Sequence, residues 1–137
     1  MTVIYVIMAV AASSAVLYLL AIKPRLGRQK GWKPFRGVYY AHRGLHDNST
    51  NAPENSLPAF KKAVKAGYGI EMDVQLTRDG IPVVFHDFTL KRACGEEGKV
   101  CEYTYEELLK FSLFGSGEQI PKLEDALRTV DGRVPLI

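Results

Sequence analysis

Acidic residues are missing from the first 46 positions of this 137-residue chain; the first is Asp47. Thr2 to Ile22 carries no charge of either sign. That excludes a surface helix of a soluble domain, which needs a polar face, and Ser13-Ser14 is all this stretch offers. Its length instead matches the roughly 20 residues that carry a helix across a bilayer. A cleaved leader would want a basic start and a small-residue exit. No Lys or Arg precedes the run, and it leaves through Ala21-Ile22-Lys23-Pro24-Arg25, so it reads as an uncleaved anchor. Cysteine is scarce too. Cys94 and Cys101 flank Gly-Glu-Glu-Gly-Lys-Val with no Cys-x-x-Cys pair and no histidine nearby. This argues against a zinc site and leaves two free thiols.

The missing acids skew the charge. The formal net charge is +3, yet residues 1–46 hold seven Lys/Arg and no Asp/Glu, whereas residues 47–137 hold eleven against fifteen. The basicity is a band formed by Lys23, Arg25, Arg28, Lys30, Lys33 and Arg36, placed to lie against anionic lipid headgroups. Positive flanks stay in the cytoplasm, so the expected topology is single-pass, N-terminus outside, remainder cytoplasmic. No basic face interleaved with aromatics recurs later, which argues against nucleic acid as a partner. The chain thus parses as an anchor at 1–22, a basic linker at 23–37 and a folded part at 38–137.

The richest stretch is Gly69 to Asp87, two β-type runs around Asp79-Gly80. Asp-Gly between apolar runs predicts a hairpin, and a two-residue turn would set Asp73 opposite His86. Glu71 shares the face of Asp73, while Ile70, Met72 and Val74 take the other. Two carboxylates and an imidazole on one face suit metal binding and proton transfer. Val83-Val84-Phe85 is apolar on both sides and reads as a buried return strand.

Upstream, Val38-Tyr39-Tyr40-Ala41 predicts a buried strand, its tyrosines in the core, running into His42-Arg43-Gly44. A polar loop leads to a helix capped by Asn55 or Ser56, with Pro58 in its first turn and Leu57, Phe60, Ala63 and Val64 on one side. Lys61, Lys62 and Lys65 form its solvated face, and Gly67 closes it. Strand, helix, strand within about 35 residues makes a right-handed βαβ unit whose parallel strands end on one rim. His42 then joins Glu71 and Asp73. Phe88 to Glu102 reads as loop. Thr104 and Glu107 form a capping box before a short helix, a second helix spans Leu123 to Val130, and Val134 to Ile137 begins another strand. A sheet ending there would leave an apolar edge bare, as in a truncated chain.

Together His42-Arg43-Gly44, Ala52-Pro53-Glu54-Asn55-Ser56, Glu71-Met72-Asp73-Val74, Thr77-Arg78-Asp79-Gly80, Val83-Val84-Phe85-His86-Asp87 and Ile120-Pro121-Lys122-Leu123-Glu124 strongly resemble the glycerophosphodiester phosphodiesterases over residues 38–137. The resemblance implies an α/β fold, the N-terminal half of a (β/α)8 TIM-type barrel of the phospholipase-C-like phosphodiesterase kind, after one transmembrane helix. It implies metal-dependent hydrolysis of glycerophosphodiesters to glycerol 3-phosphate and an alcohol. His42 and His86 would be the catalytic acid and base, Arg43 would bind the phosphate, and Glu71 and Asp73 would hold a divalent cation, Mg2+ or Ca2+. A further metal-ligating glutamate would follow the strand at Val134 to Ile137. Glu54 reads first as an acid at a helix N-terminus and second as support for the site. Asp87 is a candidate to orient His86. Competing readings are lysophospholipid substrates at the membrane with a lysophospholipase D-like cleavage, another phospholipase-C-like phosphodiesterase, and a tethered barrel without turnover.

Overall fold

The computed structural model describes residues 2–23 and 30–137, so Arg25 and Arg28 of the basic band lie outside the described residues. The chain divides into two units, residues 1–32 and 33–137. In the first, helix α1 covers Thr2–Ile22 with no residue buried. At 1.5 Å per residue it is about 31 Å long, the thickness of a bilayer's hydrocarbon core. It is long and apolar enough to cross a membrane. A 3-10 turn containing Pro34 follows at Lys30–Phe35.

The second unit is built on strand β1 (Tyr40–His42), helix α2 (Leu57–Ala66) and strand β2 (Gly69–Glu71). β1 and β2 pair in parallel, with His42 opposite Glu71. Helix α2 starts where its cap requires: the Ser56 hydroxyl accepts from Ala59 N–H, and Pro58 lies in the first turn. It ends at Gly67 in the left-handed conformation. The other edge of β2 is taken by the C-terminal segment. Ile70 N–H donates to Pro135 O and Ile137 N–H to Ile70 O, a second parallel pairing. Gly69 permits this three-segment arrangement. A Cβ there would meet the Tyr40 ring at 2.6 Å and Pro135 O at 3.1 Å.

β3 (Val74–Leu76) and β4 (Pro82–Val84) form the expected hairpin, but shifted by one residue. Val74 pairs with Val84 and Leu76 with Pro82. The loop is Arg78-Asp79-Gly80: Gly80 N–H donates to Thr77 O, Thr77 N–H donates to Ile81 O, and Gly80 sits at φ 78°. A three-residue loop with a left-handed glycine replaces the two-residue turn. Phe85, not His86, therefore stands opposite Asp73, its N–H donating to Asp73 O at 2.9 Å. Val74 is exposed, and so is Tyr39, which precedes β1 instead of entering the core.

β4 separates two apolar clusters. Val84 packs with Phe60, Ala63, Ile70, Ala126 and Val130, the last two from helix α5 (Leu123–Val130). Val83 and Phe85 pack with Leu90, Ala93, Val100, Leu108, Leu113 and Ile120. The second cluster belongs to residues 88–120, where the stretch 88–102, expected as loop, holds helical turns and the short helix expected after Thr104 is present. Helix α3 covers Lys91–Cys94, and α4, with its Thr104/Glu107 capping box, covers Tyr105–Leu108. Each large aliphatic side chain buried here contributes about 1.5–3 kcal/mol, enough to give this excursion its own core. Cys94 and Cys101 are both free, and burial pushes the Cys94 thiol up to about 11.

Candidate active site

The parallel ends of β1 and β2 set the site. Arg43 N–H donates to Glu71 O at 2.9 Å and lies 3.3 Å from Glu71 Oε2, which hooks the end of β1 onto the end of β2. His42 Nε2 stands 3.9 Å from the same carboxylate oxygen. Two non-glycine residues here adopt left-handed backbone, Arg43 and Asn55, both at φ 56°, and Asn55 N–H donates to Arg43 O. Such conformations cost of order 1–3 kcal/mol each and persist only where surrounding structure holds them. The strain aims the Arg43 side chain inward, and it is 14% exposed.

Arg43 Nη1 donates to Glu54 Oε1 at 2.8 Å, while its Nε lies 3.7 Å from Asp73 Oδ2. Glu54, 8% exposed, is a hub of hydrogen bonds in addition to being an acid just before α2. Its carboxylate accepts from Arg43, from Asn48 Nδ2 at 3.1 Å, and from Arg92 through Nη2 at 2.6 Å and Nη1 at 3.1 Å. Burial works against its charge, but the hydrogen bonds from Arg92, Asn48 and Arg43 outweigh it and hold the pKa at about 2. Arg92 also donates from Nε to Asp87 Oδ2 at 2.6 Å. Asp87 is likewise held at about 2, by Arg92 first and by His86 as well, against burial. His86 Nδ1 lies 2.6 Å from Asp87 Oδ1. Residues 86 and 87 lie beyond β4, so their side chains can converge although adjacent in sequence.

All seven residues singled out from the sequence therefore lie in one chain of polar contacts. It runs from His42 through Glu71, Arg43 and Glu54, with Asp73 beside Arg43, and on through Arg92 and Asp87 to His86. His86 enters through Asp87 and Arg92, not by facing Asp73 across the hairpin. Three participants escaped the sequence reading: Arg92, Asn48 and Gln75. The Gln75 side-chain amide donates to Phe85 O at 2.9 Å and Asp87 O at 2.8 Å, clamping the backbone that carries His86. The signal for Arg92 was chemical. Buried carboxylates need counter-charges, and Glu54 and Asp87 had none assigned.

Glu71 and Asp73 suit a hard cation. Asp73 Oδ2 is buried without a hydrogen-bond partner, and Glu71 Oε2 accepts one long hydrogen bond, so both retain oxygen lone pairs at the rim. Among the described residues, no group of three or more His, Cys, Asp or Glu side chains is gathered to hold a metal. Met72 N–H donates to Ile137 O, so the C-terminal segment ends on this same rim.

Comparison with known proteins gives a consistent picture. The model of the glycerophosphoryl diester phosphodiesterase family matches residues 42–136. A glycerophosphodiester phosphodiesterase of Caldanaerobacter subterraneus subsp. tengcongensis is 44% identical over 97 residues, covering 66% of this chain and 39% of its own length. The human glycerophosphodiester phosphodiesterase 1 is 38% identical over 96 residues, covering 64% and 28%. Among solved structures, an Oleispira antarctica phosphodiesterase in complex with the product sn-glycerol-3-phosphate superposes with a TM-score of 0.65 at 34% identity, over 74% of this chain and 43% of that one. A Thermotoga maritima glycerophosphodiester phosphodiesterase gives 0.60 at 37% identity, over 72% and 42%. The chain thus spans less than half the length of these relatives, and its fold is part of the TIM-type barrel they share.

Proposed function

The chain belongs to the glycerophosphoryl diester phosphodiesterase family, and from that premise we propose that it supplies the phosphate-binding and proton-transfer half of an enzyme hydrolysing glycerophosphodiesters to glycerol 3-phosphate and an alcohol. One observation carries the reading: His42, Arg43, Glu71, Asp73 and His86 belong to one connected polar network, reached from the ends of the parallel strands β1 and β2 and from the segment after β4. The product bound in the Oleispira antarctica relative supports the glycerol phosphate half of the substrate.

A phosphodiester is an anion, and its attack needs charge neutralisation and two proton transfers. Arg43 offers phosphate oxygens the N–H donors that Glu54 leaves free. Glu71 and Asp73 would hold a divalent cation, Mg2+ or Ca2+, which when bound would supply Lewis-acid polarisation of the phosphoryl group. His42 and His86 divide the proton transfers, one accepting from the attacking hydroxyl or water and one donating to the leaving alcohol oxygen. Asp87 occupies Nδ1 of His86 and leaves Nε2 as the nitrogen that exchanges the proton. α1 anchors the enzyme as a single-pass protein with its catalytic part in the cytoplasm, beside the lipids that give rise to its substrates.

The test is release of glycerol 3-phosphate from glycerophosphocholine by the full-length protein, with and without divalent metal. His42→Ala and His86→Ala should each lower turnover by about 10²–10⁴-fold. Undiminished turnover in both proteins refutes the assignment. A lysophosphatidylcholine substrate would release the same choline but leave a lysophosphatidic acid in place of glycerol 3-phosphate.

A further inference from the structure

Arg92 lies outside every motif that carries the family resemblance, in the excursion between β4 and α5. We infer that Arg92 is a positioning residue that locks the Arg43 side of the site to the His86 side, through Glu54 and Asp87 respectively. The inference rests on the functional reading above only for its kinetic consequence; the positional claim is separable from it.

The geometry is that of a planar clamp. The guanidinium serves two carboxylates 33 residues apart in sequence, with Nη1 and Nη2 on Glu54, and Nε and Nη2 on Asp87. Four of its five N–H donors are thereby used. One face of the plane lies over the Phe114 ring, 5.4 Å from its centroid. Phe114 itself adopts left-handed backbone, φ 50°, within the 3-10 turn Leu113–Gly115. The ring that backs the clamp is therefore held in a backbone conformation that only its surroundings sustain. The clamp also explains what the excursion does for the site. The cluster of Leu90, Ala93, Val100, Leu108, Leu113 and Ile120 fixes α3, and α3 presents Arg92. Without it, Glu54 would still hold Arg43, but Asp87 would keep only His86 as an ion-pair partner among the described contacts and would no longer be fixed against it. Lysine cannot substitute, because a single ammonium does not span two carboxylates in a fixed plane.

The experiment uses the full-length protein in detergent, with Arg92→Gln, Arg92→Lys and, as an exposed control, Arg128→Gln. Nitrogen-15 NMR of the imidazoles reads the tautomer directly, and with three histidines in this segment the His86 signals are assigned by their loss in His86→Ala. In the parent protein His86 should be pinned with its proton on Nδ1. In both Arg92 variants the ring nitrogens should shift toward a mixture of tautomers, while Arg128→Gln leaves them unchanged. Turnover number should fall about 10–100-fold with KM unmoved, as for other residues that orient catalytic groups, and the lysine variant should recover only part of it. Unchanged His86 resonances in a folded Arg92 variant overturn the inference, as does full recovery by lysine. If the resonances shift but His86→Ala retains turnover, the clamp stands and the assignment of His86 to proton transfer fails.

Discussion

Replacing Glu54 by glutamine tests the core of this structure. The change keeps the shape and removes the charge that two arginines share. The carboxylate accepts four hydrogen bonds, three of them from guanidinium groups, and is almost fully buried. A charge-assisted hydrogen bond is worth about 1.5–3 kcal/mol, and losing one partner of a buried pair costs about 3–5 kcal/mol. Depression of the Glu54 pKa from 4.5 to about 2, caused by those same hydrogen bonds, corresponds to on the order of 3 kcal/mol. Arg92 is half exposed, so its share is screened, which favours the lower end. The expected loss is about 3 kcal/mol at pH 7, or roughly 6–12 °C in Tm for a barrel of full size.

The pH dependence identifies the cause. A carboxylate depressed in the fold stabilises above its unfolded pKa, and that stabilisation drains away as pH falls toward the folded value. The gap between parent and Glu54→Gln should therefore be full above about pH 5 and close progressively between there and pH 2. Denaturant titrations of both proteins from pH 7 down to pH 3 provide the measurement. A gap under about 1 kcal/mol at pH 7, or one of constant size down to pH 3, would show that Glu54 is not the charged hub described.

Gly69→Ala should destabilise by about 1–3 kcal/mol, because the new methyl group meets the Tyr40 ring and Pro135 O at once; an unchanged denaturant midpoint would refute the close approach. Asp73→Asn in the full-length protein should weaken binding of Mg2+ or Ca2+ by calorimetry, while its far-UV dichroism stays that of the parent; equal affinity would remove Asp73 from the metal site. Deleting residues 1–22 should move the protein from the membrane pellet to the supernatant, and continued sedimentation with membranes would show that α1 is not the anchor.

Some of this architecture is local and could be read from neighbours in the chain. The Ser56 cap, Pro58 and Gly67 delimit α2 within a dozen residues, and Thr104 with Glu107 starts α4 in the same way. The βαβ unit follows from its length and handedness. The hairpin was legible as a hairpin, but its register was not. A two-residue and a three-residue loop differ by whether Gly80 closes a turn or a bulge, and the same Asp-Gly pair permits both. That single step moved His86 away from Asp73.

By itself, the sequence determined the apolar first helix, the caps that delimit α2 and α4, the strand–helix–strand order that opens the folded part, and the family. Each of these depends on spacings of a few residues or on ordered motifs. Only the tertiary structure decided which charges meet. Glu54 and Arg92 are 38 residues apart, and their pairing requires the excursion after β4 to fold on its own core and return α3 to the rim. The second parallel neighbour of β2 was also a tertiary outcome, because Gly69 leaves room that a side chain would have filled. Local patterning set the elements. Burial and the need of every buried charge for a partner set the site.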